Sequence, residues 1–206
     1  KTKTKTKTKT KTKTKTKTMT YSKDYLKLFE YSIKNHNIKD NDVILFINSF
    51  KDVKCYVYTP LDYIDVLLSS LPNSVTIIMQ TFNLGFFRGK KYNYRHTYAE
   101  TGLISETFRR MDRVIRSPHP IFSVSGRGPL AEKICCHEGT TCWGRGTPFE
   151  KLIEVNALIM NFGREFPWGI TLLHRFEEIK RVPYRYFKTF SGMTDFGDGE
   201  KYYETD

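Results

Sequence analysis

Asp42-Val43-Ile44-Leu45-Phe46-Ile47-Asn48-Ser49 holds five consecutive apolar residues between polar ones. A run this short and unbroken reads as a strand covered on both faces, because a strand with one wet face would alternate apolar and polar residues. Val75-Thr76-Ile77-Ile78-Met79 repeats the pattern and leads into Gln80-Thr81-Phe82. Between the two runs, residues 61–71 have helical spacing and Pro72-Asn73-Ser74 breaks it, so the chain steps from strand to helix to strand. The expected class is α/β, a layered sandwich around a largely parallel central sheet. Ligands of such sheets gather at the carboxyl ends of strands, where Ser49, Thr81, the segment 123–126 and Gly163 fall.

Outward from this centre, residues 25–34 place Leu26, Leu28, Phe29 and Ile33 at the spacing of an amphipathic helix. Residues 84–99 are aromatic and basic without a clean period and read as a loop over a cleft. Helices are expected over 101–111, 129–135 and 149–155, and strands over 121–125 and 157–162. A last helix is expected over 171–180, begun by Thr171 as its cap.

The 206 residues suit one domain, expected over 19–206. The net charge of +12 points at first to nucleic acid, but nine of the 34 basic residues lie in the Lys-Thr repeat from Lys1 to Thr18. Without them 25 basic residues face 22 acidic ones, an excess of three, and the case for phosphate-backbone binding loses most of its support. Strict Lys-Thr alternation offers no apolar face and repels itself, so residues 1–18 are expected to be a disordered tail. Cys55, Cys135, Cys136 and Cys142 are too few and too unevenly spaced for a disulfide framework, and no long apolar run occurs, so a cytoplasmic protein without a membrane span is expected. Adjacent Cys135 and Cys136 cannot easily aim at one ion, which argues against a zinc site with His137 and Cys142.

Three blocks carry the chemistry: Arg116-Ser-Pro-His-Pro120 running into Ser123-Val-Ser-Gly126, Trp143-Gly-Arg-Gly-Thr-Pro-Phe149, and Thr171-Leu-Leu-His174-Arg-Phe-Glu177. A His and a Glu three apart on a helix share a face, which lets the carboxylate orient the imidazole as a general base. His174 and Glu177 are therefore the candidate catalytic pair. Ser123, Ser125, Thr147 or the amides near Gly126 are candidate donors to an oxyanion. His119, stiffened between two prolines, suggests a structural or cleft-wall role.

In the order and spacing of these blocks the chain resembles the aminoglycoside 3-N-acetyltransferase family over about residues 24–185. The matching pieces include Asp42 through Ser49, Thr101-Gly-Leu-Ile-Ser-Glu-Thr-Phe-Arg109, the segment 113–128, Gly144 through Phe149, Thr171 through Glu177 and Val182-Pro-Tyr-Arg185. The resemblance implies the antibiotic N-acetyltransferase fold, distinct from the commoner acetyltransferase superfamily, and acetyl transfer from acetyl-coenzyme A to an amine of an amino sugar or aminoglycoside. It places His174 and Glu177 at the family's helix motif, and its coenzyme-contacting loops at Asn48, Ser49, the segment Arg116, Ser123 and Ser125, and Gly146, Thr147 and Phe149. The chain departs from the family at Ile47, Asn48, Gln80 and Pro118. Members continue beyond the position of Asp206, so a truncated and inactive relative is the alternative, as is acetylation of an amino sugar bound for a surface polysaccharide. Coenzyme A carries phosphates, for which Arg116 and Arg145 are the first candidates and Lys51 and Arg88 the next. A polycationic acceptor would need acids, and Asp195, Asp198, Glu200, Glu100 and Glu106 are the available ones.

Overall fold

A computed structural model describes residues 23–54, 57, 59–139, 141–163, 165 and 167–206. The Lys-Thr repeat and Cys55 lie outside the described residues. After helix α1 (Lys23–Lys34), the apolar run forms β1 (Val43–Asn48), followed by α2 (Phe50–Val53), α3 (Pro60–Ser70) and β2 (Thr76–Gln80). Helix α3 begins where the local chemistry says it should: the Thr59 hydroxyl accepts from the Asp62 amide and the Asp62 carboxylate accepts from the Thr59 amide, with Pro60 in the first turn.

A 3₁₀ turn (Phe86–Arg88), β3 (Tyr92–Asn93), α4 (Leu103–Arg109), β4 (Ile115–Arg116), β5 (Val124–Arg127) and α5 (Ala131–Cys135) come next. The chain then runs through α6 (Pro148–Glu154), β6 (Leu158–Phe162), α7 (Leu173–Lys180), β7 (Phe190–Asp195) and β8 (Glu200–Thr205).

The main sheet has the order β4-β5-β2-β1-β6. β1 pairs in parallel with β2, Val43 opposite Thr76, and with β6, Asn48 opposite Phe162. β5 lies antiparallel to β2 and to β4, so the sheet is parallel at its centre and mixed at one side. This reversal puts Ser123, at the start of β5, beside Thr81 at the end of β2, where the Thr81 amide donates to the Ser123 carbonyl.

The two faces of β1 enter different cores, as the period of two requires. Ile44 and Phe46 pack with Tyr63, Ile64 and Leu67 of α3 and with Ile104 and Phe108 of α4. Val43, Leu45 and Ile47 pack with Ile134 of α5 and with Phe149 and Leu152 of α6. Each fully buried side chain of this size contributes about 1.5–3 kcal/mol, which is why a short uninterrupted run fixes a three-layer structure.

Three expectations are corrected. The stretch 84–99 is not one loop, since it holds the 3₁₀ turn and β3. β3, β7 and β8 form a second, three-stranded sheet that the apolar pattern did not announce. Helix α7 begins later than expected: Leu172 is its N-cap and makes no side-chain cap bond, while Thr171 supplies only a carbonyl to the His174 amide.

Candidate active site

Helix α7 carries no buried residue and is held by its ends and by ion pairs. The turn before it needs Gly169, whose φ is +83° and where an added Cβ would stand 2.8 Å from the Ile47 side chain. Buried Leu172 pins the start of the helix to the core beside β1 and α6. Arg175 then bridges elements, donating to Glu150 of α6 at 2.8 Å and to Glu178 at 3.2 Å. The other Glu150 oxygen accepts the Gly146 amide at 2.8 Å, so α7 is tied to the glycine-rich turn before α6.

With the helix so placed, His174 and Glu177 point into the mouth of a cleft of about 820 Å³. His174 Nδ1 lies 2.8 Å from Glu177 Oε2, and the side chains are 32% and 23% exposed. Arg185 reaches the same Oε2 at 2.7 Å, and Tyr184 donates to Oε1 at 3.3 Å. Arg185 also lies 2.5 Å from His174 Nδ1, yet that nitrogen cannot at once donate to Glu177 and accept from Arg185. The carboxylate is the stronger acceptor and takes both protons, which leaves Nε2 with the free lone pair. The hydrogen bond from His174, and then the Arg185 charge, hold the Glu177 carboxyl below its usual range, so it is ionised near neutrality.

Trp143 is the wall against which the imidazole rests, edge to face at 5.1 Å between ring centres. Its indole is itself clamped by Phe122 at 4.2 Å and by Phe149 at 4.5 Å. Phe87, Phe122, Phe190, Tyr186 and Phe187 continue the aromatic lining. Spacing did not single out Trp143, Arg175 or Arg185. The tryptophan stood inside a quoted block, but nothing local to it says that it meets His174.

Most of the loop residues expected at the coenzyme do not line this cleft. Arg116 is only 4% exposed. Its guanidinium donates to Ser123 Oγ and to the carbonyls of Thr81, Tyr94 and Thr97, and it lies 5.2 Å from the Tyr92 ring centre. An arginine committed in this way has its donors spent on acceptors within the protein. Ser123 and Ser125 are fully buried and belong to the same network through Thr81. Thr147 and Phe149 are also fully buried, the first as the N-cap of α6 and the second as core.

Gly146, with φ +73°, shapes the turn behind the cleft. Asn48 lines a separate hollow of about 230 Å³ with Gln80, Thr101 and Trp168, and its Oδ1 accepts from Tyr63. Ser49 is buried at the start of α2. The structure therefore brings His174, Glu177 and Trp143 together and leaves Asn48 and Ser49 outside that cleft. Arg145 and Lys51 are exposed away from it, and Arg88 pairs with Glu100.

His119 is structural: its Nδ1 accepts the Ile121 and Phe122 amides, and Nε2 meets the Thr205 hydroxyl of β8 at 3.0 Å. Burial pushes the Cys135 and Cys142 thiols up to about 12, so neither supplies a thiolate nucleophile near neutrality. Among the described residues no cluster of three His, Cys, Asp or Glu side chains could hold a metal, and no helix is long and apolar enough to cross a membrane.

Known proteins are similar to this chain in sequence and in fold. Residues 45–205 match the sequence profile of the family described as Aminoglycoside 3-N-acetyltransferase. Over 110 residues the chain is 28% identical to the aminoglycoside N(3)-acetyltransferase III of Salmonella sp, a match taking in 53% of this chain and 38% of that relative. Among solved structures, the fold is similar to sisomicin-bound AAC-VIa, with a TM-score of 0.75 and 18% identity over 87% of this chain and 74% of that one. It is also similar to AAC-IIIb in a binary complex with CoASH, with a TM-score of 0.73 and 18% identity over 85% of this chain and 74% of that one. A family match that runs unbroken from Leu45 in β1 to Thr205 in β8 spans every element that builds the cleft, and the chain belongs to the aminoglycoside 3-N-acetyltransferase family.

Proposed function

We propose that this protein moves the acetyl group of acetyl-coenzyme A directly onto an amine of an amino sugar or aminoglycoside, with His174 as general base and Glu177 as its partner. The observation that carries the reading is the 2.8 Å contact between His174 Nδ1 and the ionised Glu177 at the mouth of the cleft. An aliphatic amine attacks a thioester only through its lone pair, and it must shed a proton as the C–N bond forms. Nε2 of His174 takes that proton, Glu177 stabilises the imidazolium, and as the C–S bond breaks the imidazolium returns the proton to the departing sulfur, so that the coenzyme leaves as a thiol and the base is restored. The high-lying thiols of Cys135 and Cys142 favour this direct route over a covalent enzyme intermediate.

The cleft suits a ligand of this kind. Its volume of about 820 Å³ lies within the usual range for small-molecule sites, and its aromatic walls suit an alkyl arm and a sugar face. AAC-IIIb binds CoASH and AAC-VIa binds sisomicin on the same fold. Free thiols at Cys135, Cys136 and Cys142 are in keeping with a cytoplasmic setting, where acetyl-coenzyme A is at hand.

The test is thiol release from acetyl-coenzyme A with a panel of amines, comparing the protein with His174→Ala. A loss in kcat of about 10²–10⁴-fold with unchanged circular dichroism is expected. Equal rates in the two proteins would sink the assignment of the base.

A further inference from the structure

A His and a Glu three residues apart on an exposed helix are a weak pair. Screening and the ordering of two side chains leave the paired rotamers favoured only about twofold. Glu177 is 23% exposed and has three rotatable bonds, so the pair alone would aim the imidazole for only part of the time. Something further must hold the carboxylate.

The chain beyond α7 supplies that hold. Arg181, at the end of the helix, takes a left-handed conformation with φ +49°, and its amide and that of Val182 return to the Glu177 carbonyl. Pro183 has no amide with which to continue the helix. The Arg185 amide then closes a turn onto the Val182 carbonyl at 3.2 Å, and the turn sends the Arg185 side chain back to the dyad. Its Nη2 stands 2.7 Å from Glu177 Oε2 and 2.5 Å from His174 Nδ1, while the Tyr184 hydroxyl donates to Glu177 Oε1 at 3.3 Å.

One guanidinium nitrogen within reach of both partners has two effects of opposite sign. While Glu177 is ionised and in place, its Oε2 accepts from Arg185 and from the ring at Nδ1, and Nε2 keeps the lone pair. Without that carboxylate Arg185 donates to Nδ1 instead, the ring proton moves to Nε2, and the base is lost. Resting on the acetyl-transfer reading above, we infer that Arg185 is a positioning residue of this site, which fixes Glu177 and, only through Glu177, the tautomer of His174.

A double-variant cycle reads this directly. In thiol release from acetyl-coenzyme A with the amine panel, Arg185→Met is expected to lower kcat about tenfold, with the KM for acetyl-coenzyme A within about twofold. In the Glu177→Gln background the sign reverses. Adding Arg185→Met there should raise kcat about threefold or more, because the donor that drives the proton onto Nε2 has gone. A role in stability alone would lower the rate in both backgrounds. No gain in the Glu177→Gln background overturns the inference, as does an Arg185→Met protein with the wild-type kcat. The Arg185 side chain is 47% exposed, and Arg185→Ala takes the place of Arg185→Met in the cycle should the latter not fold.

The tautomer is also read without turnover, from the nitrogen-15 shifts of the His174 ring at about pH 8.5, where free imidazole is neutral. The signal is assigned by its loss in His174→Ala. The wild-type ring should carry its proton on Nδ1, Glu177→Gln should carry it on Nε2, and the double variant should show a mixture. If no amine releases thiol, the acetyl-transfer reading fails by itself, and these shifts still decide the role of Arg185. The same tautomer in Glu177→Gln and in the double variant overturns it.

Discussion

His174 depends on one oxygen of Glu177 for its tautomer, and that oxygen also serves Arg185. Glu177→Gln keeps the shape but offers an amide that can face Nδ1 with either a donor or an acceptor. A fall in kcat of about 10²-fold with KM within twofold is expected in steady-state thiol release. Because its folded value is lowered, the Glu177 carboxyl stays ionised until the pH drops below the ordinary carboxylate range. The carboxyl should therefore add no acid limb of its own to the kcat profile above the ordinary carboxylate range, which a pH series on the wild-type protein and on Glu177→Gln can check. Arg116 shows the opposite case, a residue of functional appearance used for structure. Arg116→Met strands the Tyr94 and Thr97 carbonyls and leaves the Thr81 carbonyl with the Ser123 hydroxyl, and a stability loss of about 3 kcal/mol in urea titrations is expected, with the acetyl-coenzyme A KM of the folded protein unchanged.

Among the elements, α7 stands out because it has no buried side chain and yet bears the base. Its position relies on Leu172 and on Arg175, whose partners Glu150 and Glu178 join it to α6 and to its own last turn. Arg175→Ala is expected to lower kcat about tenfold by loosening the aim of His174, while global stability changes by no more than about 1 kcal/mol, as for a partly exposed ion pair. Steady-state kinetics beside urea titration checks both halves, and Arg175→Lys should restore only part of the rate because one ammonium cannot span both carboxylates. The second sheet was legible in hindsight from Asp198-Gly199, a dipeptide typical of tight turns, between β7 and β8. Its strands mix Gly, Ser, Thr and charged residues, so the apolar period that revealed β1 and β2 is missing there.

Over the whole molecule, acid should weaken the fold through two histidines kept neutral. His119 accepts two amides at Nδ1 and has no room for a proton there, and burial, then nearby His137, lowers its pKa well below 6.5. Burial likewise pushes His137 down from 6.5 to about 4. The unfolded chain takes up these protons below about pH 6.5 and the folded chain does not, so stability is complete above that pH and is lost as it falls toward 4. Each histidine should contribute a slope of about 1.4 kcal/mol per pH unit in that window. His119→Asn, whose side-chain oxygen can accept from the Ile121 and Phe122 amides, should make the slope shallower in urea titrations run from pH 7 to 5.

What the sequence determined by itself was local or repeated: the buried runs of β1 and β2, the helices between them, and a His and a Glu one turn apart. Each follows from periodicity or from a spacing of three or four residues, which the chain displays without knowing its tertiary neighbours. The tertiary structure alone decided that Arg116 is spent inside, that β5 runs against β2, that Trp143 supports the imidazole, and that Glu150 ties α7 to α6. Those facts depend on contacts between residues far apart in the chain, as between Arg175 and Glu150 or His119 and Thr205. Only the packed molecule sets which polar groups meet and which are left for a ligand.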